Sequence, residues 1–206
     1  FDITVYPVVS AWGFYTGDYT VPTKGDVLAL LELVGSDKLA LDGNTVCFAV
    51  PGMAIDLGGI GKGYASDRLR LVLRDNGVSS ALASLGGNVV AYGAKPDGSA
   101  WNVAVQDPDD PSGIVGILAV TDKMVVTSGG YQRFFESGGM TYHHIIDPET
   151  GFPAESGLKS VTIVSDDGMA ADGLSTALFV LGKDAAADFW RTRRELFDAV
   201  LVTSEN

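Results

Sequence analysis

The feature that most constrains this chain is a glycine-rich stretch at residues 55–65, which reads IDLGGIGKGYA. It places four glycines within six residues, with Lys62 among them. Glycine lets a backbone approach an anion closely, and the unpaired amides of a helix start point toward bound phosphate. The stretch predicts an apolar strand that ends at Asp56, a glycine turn, and a helix with Lys62 on its first turn, together forming a phosphate site. The alternative is a plain strand-to-helix connection.

The spacing of these glycines matches neither of two familiar nucleotide-binding motifs. The segment GGIGKG is not the G-x-x-x-x-G-K-[ST] pattern of a P-loop. It is also not G-x-G-x-x-G followed by an acidic residue about 20 positions later. The sequence therefore supports neither a P-loop nor a dinucleotide-binding fold of the Rossmann type.

The charge of the chain restricts its partners. Its 206 residues carry 26 acidic side chains against 14 Lys and Arg, for a formal net charge of −12. This balance argues against nucleic acid as a partner, since phosphate backbones are bound by clustered basic residues. An anionic ligand would need a local positive charge from a lysine, a helix start or a bound cation. The length allows one large domain or two small ones.

Cys47 is the single cysteine, which excludes a disulfide framework and a thiolate metal cluster. Its apolar neighbours predict a buried side chain. The sequence contains no apolar run of membrane-spanning length and no signal-peptide pattern. Because it begins with Phe1 rather than methionine, we expect a processed or excised piece of a longer protein.

The apolar periodicity predicts a mixed set of helices and strands. Residues 1–7 carry an acid and a proline and are expected to be extended rather than a central strand. The predicted helices are 26–34, 62–76, 169–182 and 185–197, and the predicted strands or hairpins are 39–50, 81–85, 89–92, 101–106, 114–120 and 199–203.

Two further polar segments could carry chemistry. Thr127 and Ser128 stand before a glycine pair, where their hydroxyls could bind a phosphate or a sugar, although a plain turn explains them equally. His143 and His144 are the only histidines. Adjacent residues of a strand point to opposite faces, so the two cannot serve one metal in the same way. We expect one to face the site and the other to face solvent.

Asp172 and Thr176 are four residues apart in the predicted helix 169–182, so a carboxylate and a hydroxyl share one helix face. Oxygen donors of this kind suit a hard cation such as Mg²⁺, which completes its shell with water and substrate phosphate. The alternative interpretation makes Asp172 a helix N-cap and leaves Thr176 facing solvent.

Taken in order, the segments FDITV-P, DLGGIGKGYA-D, GGN, TSGG, HHIIDPETG and ADGLSTALFVLG resemble the ApbE family of FAD:protein FMN transferases, from Phe1 to about Gly182. The resemblance implies an α+β fold, a compact ApbE-like, T-fold-related domain with antiparallel-rich sheets and packed helices. It implies one domain over residues 1–206 that lacks the family's N-terminal portion. The implied activity is Mg²⁺-dependent transfer of FMN from FAD to a threonine hydroxyl of a redox protein, with release of AMP.

The resemblance also implies roles for individual residues. The metal ligands would be the backbone carbonyl of Gly59 and the side chains of Asp172 and Thr176, with Ser175 as a further candidate. The flavin nucleotide would be lined by Phe1, Asp2, Asp56, Lys62 and Ile146, to which we add Thr127 and Ser128. His144 would be the general base. From the chemistry of such a base we expect it to take the threonine proton, and we add Asp147 as the residue that orients its ring.

Two alternatives to transfer stay open on the sequence. One is a Mg²⁺-dependent FAD pyrophosphatase, in which water replaces the threonine, and the other is a non-catalytic FAD-binding protein. The resemblance further implies an extracytoplasmic location, periplasmic or at the cell surface, with a lipid anchor or membrane tether in a part of the protein that the sequence does not include. The acceptor protein is not identified by the sequence.

Overall fold

The computed structural model describes residues 1–204, so the last two residues of the domain predicted over 1–206 lie outside the described part. In chain order the helices and strands are α1 (Tyr6–Ala11), α2 (Lys24–Leu31), β1 (Leu39–Asp42), β2 (Thr45–Phe48), α3 (Gly58–Asp75), β3 (Ala81–Leu85), β4 (Asn88–Tyr92), β5 (Trp101–Gln106), β6 (Ile114–Val120), β7 (Lys123–Gly129), β8 (Phe134–Ser137), β9 (Met140–His143), β10 (Leu158–Ser165), α4 (Gly168–Leu181), α5 (Lys183–Arg191) and β11 (Phe197–Thr203).

The predicted α+β fold is confirmed, because helices pack with sheets whose described ladders are all antiparallel. Backbone contacts divide the chain into two compact units. The first comprises Phe1–Leu57 and Gln132–Ala154, and the second comprises Gly58–Tyr131 and residues 155–204. A single domain over residues 1–206 stays a prediction. Within residues 1–204, no helix combines the length and the hydropathy needed to cross a membrane.

The N-terminus of the first unit is helical, so the expected extended segment at residues 1–7 is wrong. The Asp2 carboxylate accepts hydrogen bonds from the Thr4 amide at 2.8 Å and the Thr4 hydroxyl at 2.6 Å, which caps a short 3-10 turn. Helix α1 follows with Pro7 in its first turn. Proline is favoured there, because its missing amide hydrogen has no partner within the helix anyway.

The core of the first unit is aromatic. Val8, Trp12 and Phe14 are fully buried and pack against Phe135 of β8. The indole Nε1 of Trp12 donates to the carbonyl of Gly151 over 3.0 Å, so the polar edge of this buried ring is satisfied. This core fixes the segment that carries both histidines against α1.

The predicted hairpin at residues 39–50 is confirmed as the pair β1–β2, with Gly43 and Asn44 as its turn. The prediction that Cys47 is buried is wrong, because every residue of β2 is exposed. An apolar sequence could not reveal this, since burial depends on what packs over a strand rather than on its own residues.

The second unit is built on a five-stranded antiparallel sheet in the order β11-β10-β7-β4-β3. Helices α3 and α4 cover one face of this sheet. The hairpin β5–β6 covers the other face, where Val103 and Val120 pack against Ala91 and Val125. The sheet is therefore sandwiched between a helical layer and a two-stranded layer.

Residues 58–65 of the glycine-rich stretch are helical, and residues 55–57 are not a strand, so the predicted strand-and-turn arrangement is wrong. All four glycines of residues 58–63 lie within α3, which places Lys62 in its second turn. The reason is packing against α4. A β-carbon at Gly63 would stand 2.1 Å from the carbonyl oxygen of Gly168, so only glycine permits this approach of the two helices.

Helix α4 closely matches the predicted helix 169–182. Its N-cap is Asp167, whose side chain accepts from the Ala170 amide, so the alternative that Asp172 is the cap is wrong. Helix α5 ends at Arg191, shorter than the predicted helix 185–197. The indole of Trp190 donates to the carbonyl of Phe197 over 3.0 Å and fastens the turn into β11.

Candidate functional site

The centre of the candidate site in the second unit is the carboxylate of Asp172, which is only 2% exposed. Its Oδ2 accepts the backbone amide of Gly63 over 2.8 Å. In a regular α-helix this amide bonds the carbonyl of Gly59. Asp172 therefore competes with the Gly59 carbonyl for a donor, which favours that carbonyl as a ligand for something else.

Burial raises the pKa of Asp172 above its usual range. The Gly63 amide, the positive charge of Lys62 and the Asn88 amide oppose this effect without cancelling it. The carboxylate is therefore short of positive partners, and a cation beside it would stabilise its charged form.

Three hydroxyls lie in a connected group between α4 and β7. The Ser175 hydroxyl donates to the Asp172 carbonyl over 2.8 Å and lies 2.7 Å from the Ser128 oxygen. Since the single Ser175 proton is used on that carbonyl, Ser128 is the donor to Ser175. The oxygen of Thr176 lies 3.2 Å from the same Ser128 oxygen. The structure thus brings Ser128 to the predicted metal ligands Ser175 and Thr176.

Thr127 lies on the opposite face of β7, since neighbours on a strand point to opposite sides. Its oxygen is 2.8 Å from that of Thr162 on β10. The structure therefore does not bring Thr127 together with Ser128, and a role for it at the nucleotide stays a prediction.

The donor chemistry around Asp172 fits Mg²⁺. One carboxylate, neutral hydroxyls and a backbone carbonyl are all hard oxygen donors, as this ion prefers. Among residues 1–204 there is no group of three or more His, Cys, Asp or Glu side chains that could hold a metal ion. The predicted ligands Gly59, Asp172, Ser175 and Thr176 all belong to this unit.

Lys62 contributes positive charge to the same unit. Its charge acts on Asp172, and its Cδ lies 3.7 Å from the position that a β-carbon of Gly86 would take. Gly86 and Gly87 form the two-residue turn between β3 and β4, both with positive φ. The lysine stem thus runs beside a turn that lacks side chains.

In the first unit, the ring orientation of His144 is set by the backbone. Its Nδ1 lies 3.1 Å from the carbonyl of Arg133, which can only accept, so Nδ1 carries the proton and the lone pair is on Nε2. Asp147, three residues after His144, is the partner that we expected to orient this ring. The group that orients Nδ1 is instead the backbone carbonyl of Arg133. The Asp147 carboxylate accepts a hydrogen bond from the Glu149 amide over 2.9 Å and stabilises the following turn.

His143 has the opposite tautomer and a structural position. Its Nδ1 accepts the amide of Ile145 at 3.3 Å, so Nε2 is the donor to the Ala154 carbonyl at 3.2 Å. The two adjacent histidines therefore hold their ring protons on different nitrogens, and His144 is the one whose tautomer suits a base.

The remaining predicted nucleotide residues of the first unit are tied into its fold. Phe1 is half exposed, whereas Ile146 is 6% exposed and packs in the core of this unit, so a contact of Ile146 with the nucleotide stays a prediction. The Asp56 carboxylate accepts the Tyr15 hydroxyl. Burial and this acidic partner raise the pKa of the Tyr15 phenol.

Asp2 likewise has structural partners. Burial raises the pKa of its carboxyl, but hydrogen bonds from Thr4 and Ser36 outweigh that effect, so the net shift is downward. The Ser36 amide donates to its Oδ2 over 3.0 Å. Its predicted contact with a nucleotide stays a prediction.

Sequence reasoning missed two participants. Asn88 is fully buried beside Asp172, and only the GGN motif marked its position. The carbonyl of Arg133 acts through the backbone, so no side-chain pattern could reveal it.

Comparison with known proteins adds to this geometry. The profile described as the ApbE family matches residues 1–201. A Klebsiella pneumoniae protein named FAD:protein FMN transferase is 38% identical, over 98% of this chain and 63% of the relative. A Vibrio cholerae protein of the same name is 35% identical, over 89% of this chain and 56% of the relative. The chain therefore spans less than two thirds of the length of these relatives.

Solved structures agree with the fold. The ApbE protein of Thermotoga maritima superposes with a TM-score of 0.90 at 34% identity, over 98% of this chain and 67% of that one. The flavinyl transferase ApbE of Pseudomonas stutzeri gives a TM-score of 0.86 at 36% identity, over 100% of this chain and 64% of that one.

Proposed function

The chain belongs to the ApbE family, and from that premise we propose that it transfers FMN from FAD to a protein acceptor in a Mg²⁺-dependent reaction. The observation that carries the proposal is the buried Asp172 carboxylate, held by the Gly63 amide beside the hydroxyls of α4. Relatives named FAD:protein FMN transferase support the choice of substrate.

The chain's own residues supply the parts of such a site. The Gly59 carbonyl, the Asp172 carboxylate and the Thr176 hydroxyl would hold Mg²⁺. Ser128 contacts the hydroxyls of both Ser175 and Thr176 and would keep the Thr176 oxygen in place. When bound, the ion supplies neutralisation of pyrophosphate charge, which is the main requirement of phosphoryl transfer. Lys62 would add a second positive charge to the same anion.

His144 would act on the acceptor. Its Nδ1–H is bound to the Arg133 carbonyl, so Nε2 can take the proton of a threonine hydroxyl. The threonine oxygen then forms a bond to the FMN phosphorus while the bond from that phosphorus to the bridging oxygen breaks. AMP leaves with the bridging oxygen. A positioned base of this kind contributes about 10²–10⁴-fold to the rate.

The test is an incubation of the full chain with FAD, Mg²⁺ and a candidate acceptor. Transfer predicts AMP together with a phosphoester-linked FMN on an acceptor threonine, which peptide mass spectrometry locates. AMP with free FMN, irrespective of acceptor, would indicate a pyrophosphatase instead. Intact FAD retained in the presence of Mg²⁺ would indicate a binding protein. Asp172→Asn serves as the matched inactive control.

We also propose an extracytoplasmic location, periplasmic or at the cell surface, for the protein and its acceptor. The support is the family resemblance, whose members are usually found there. Fractionation of cells that produce the protein from its natural gene, with immunodetection in each fraction, tests this. Recovery in the cytoplasmic fraction alone would overturn it.

A further inference from the structure

The side chain of Asn88 is unexplained by the fold. It is fully buried at the first position of β4, and within the described residues neither Nδ2 nor Oδ1 has a hydrogen-bond partner. A buried amide that finds no partner weakens a fold, and an apolar residue would fill this place at lower cost. Its presence therefore points to a partner that arrives from outside the chain.

The sheet register places Asn88 on the face that α4 covers. Val90 of β4 stands opposite Met124 of β7. Asn88 is two residues from Val90 and Ser128 is four from Met124, so both side chains share that face. Ser128 contacts the hydroxyls of α4 there, and the Asn88 amide lies beside the Asp172 carboxylate.

The glycine turn before Asn88 explains how the amide reaches this position. Gly86 and Gly87 have φ values of 58° and 97°, which suit a tight two-residue hairpin turn. Lys62 passes beside the same turn. The Lys62 side chain, the Asp172 carboxylate and the Asn88 amide thus lie near one another at one end of the helical layer of the second unit.

We propose that Asn88 is a positioning residue of the metal site, whose Nδ2 donates to the Asp172 carboxylate and whose Oδ1 accepts from a water molecule on the bound cation. This inference rests on the proposed function, because it needs the cation at Asp172. The Asn88 Oδ1 then gains the partner that it lacks, and Nδ2, which already lies beside the Asp172 carboxylate, closes to a full hydrogen bond with it. Partners of metal ligands orient them, and losing one commonly weakens metal binding about 10–100-fold.

The decisive variant is Asn88→Leu, which keeps a similar volume and removes both polar atoms. Its matched control is Ser160→Ala, which removes a fully buried hydroxyl that also lacks a hydrogen-bond partner among residues 1–204, on the sheet face away from α4. Binding of Mg²⁺ to the full chain is measured by titration calorimetry. Thermal unfolding is measured with chelator and then with saturating Mg²⁺.

We expect Asn88→Leu to weaken Mg²⁺ binding by about 10–100-fold while its unfolding temperature in chelator equals or exceeds that of the unmodified protein. Ser160→Ala should bind Mg²⁺ with unchanged affinity. If Asn88→Leu fails to fold, Asn88→Ala replaces it, since the smaller side chain cannot overfill the site.

Two results would overturn the inference. Mg²⁺ affinity within twofold of the unmodified protein for Asn88→Leu, with binding lost in Asp172→Ala, would make Asn88 a structural residue while the metal site stands. Equal Mg²⁺ binding by the unmodified protein and Asp172→Ala would instead remove the metal site itself, and the role of Asn88 with it.

Discussion

The backbone amide of Gly63 donates to the carboxylate of Asp172 over 2.8 Å, although the two residues are 109 positions apart in the sequence. Together with the bonds from the Gly168 and Met169 amides to Asp67, this bond joins the glycine-rich helix α3 to α4, and it holds the acid on which the proposed metal site depends. It also defines two separable roles for Asp172, as an acceptor for Gly63 and as a negative charge.

Asp172→Asn separates these roles, because an amide oxygen still accepts from Gly63 but carries no charge. We expect it to abolish Mg²⁺-dependent turnover of FAD. Since burial raises the pKa of Asp172, its charged form weakens the metal-free fold at neutral pH. The variant should therefore be at least as stable in chelator. Turnover assays and urea unfolding check both points, and normal FAD turnover would contradict the metal assignment.

Gly63→Ala tests the contact of α3 with α4. The added methyl would stand 2.1 Å from the Gly168 carbonyl oxygen, so the helices must move apart. We expect the free energy of unfolding to fall by about 1–3 kcal/mol. Gly61→Ala is the control, since apart from the adjoining backbone of α3 no atom of residues 1–204 lies within 4 Å of its β-carbon position. Alanine there should add about 0.5–1 kcal/mol, and equal effects of the two changes would contradict this packing.

Asp2 should give a pH-dependent contribution to stability. Its folded pKa is lowered, so its stabilising effect is present above the unfolded value of about 3.9 and disappears as pH falls through the folded value. We expect Asp2→Ala to lose about 1 kcal/mol at neutral pH. Asp2→Asn should lose less, because it still accepts from Thr4 but not from Ser36. Urea unfolding from pH 7 to pH 2 checks this, and a constant gap at all pH values would contradict it.

His144→Ala should slow FMN transfer about 10²–10⁴-fold with little change in FAD binding. His143→Ala is the neighbouring control, since its ring bonds Ile145 and Ala154 within the fold. His143→Ala should lower the unfolding temperature and leave the rate of FMN transfer nearly unchanged. Measured kcat and KM for both variants separate the cases. A raised KM with unchanged kcat for His144→Ala would make that residue a binding group only.

Elements with strong internal periodicity were predictable from the sequence. Helix α4 and the strands from β3 to β6 lie close to their predicted bounds, because each carries its own apolar pattern. The shared helix face of Asp172 and Thr176 follows from the same spacing, so the residue pattern of α4 is enough to select its candidate ligands.

Features that depend on distant contacts were not predictable. Glycine disfavours a helix by about 1 kcal/mol relative to alanine, so four of them indicate a turn. In the fold, the close packing against Gly168 outweighs the low helix propensity of glycine, because no larger residue fits at position 63. Two hydrogen bonds are further examples: one joins Gly63 to Asp172, and the other joins the Arg133 carbonyl to His144. The residues of each pair are too far apart in the sequence for a local pattern to predict the contact.

The exposed position of Cys47 on β2 makes the chain easy to label at one place. A thiol-reactive dye would attach there without any substitution, because the sequence has no second cysteine. Its signal would follow unfolding of the first unit, which also contains Trp12, while Trp101 and Trp190 fluoresce in the second. Trp12→Phe therefore leaves the tryptophan signal to the second unit. A single domain over residues 1–206 requires dye and tryptophan signals to change at the same denaturant concentration.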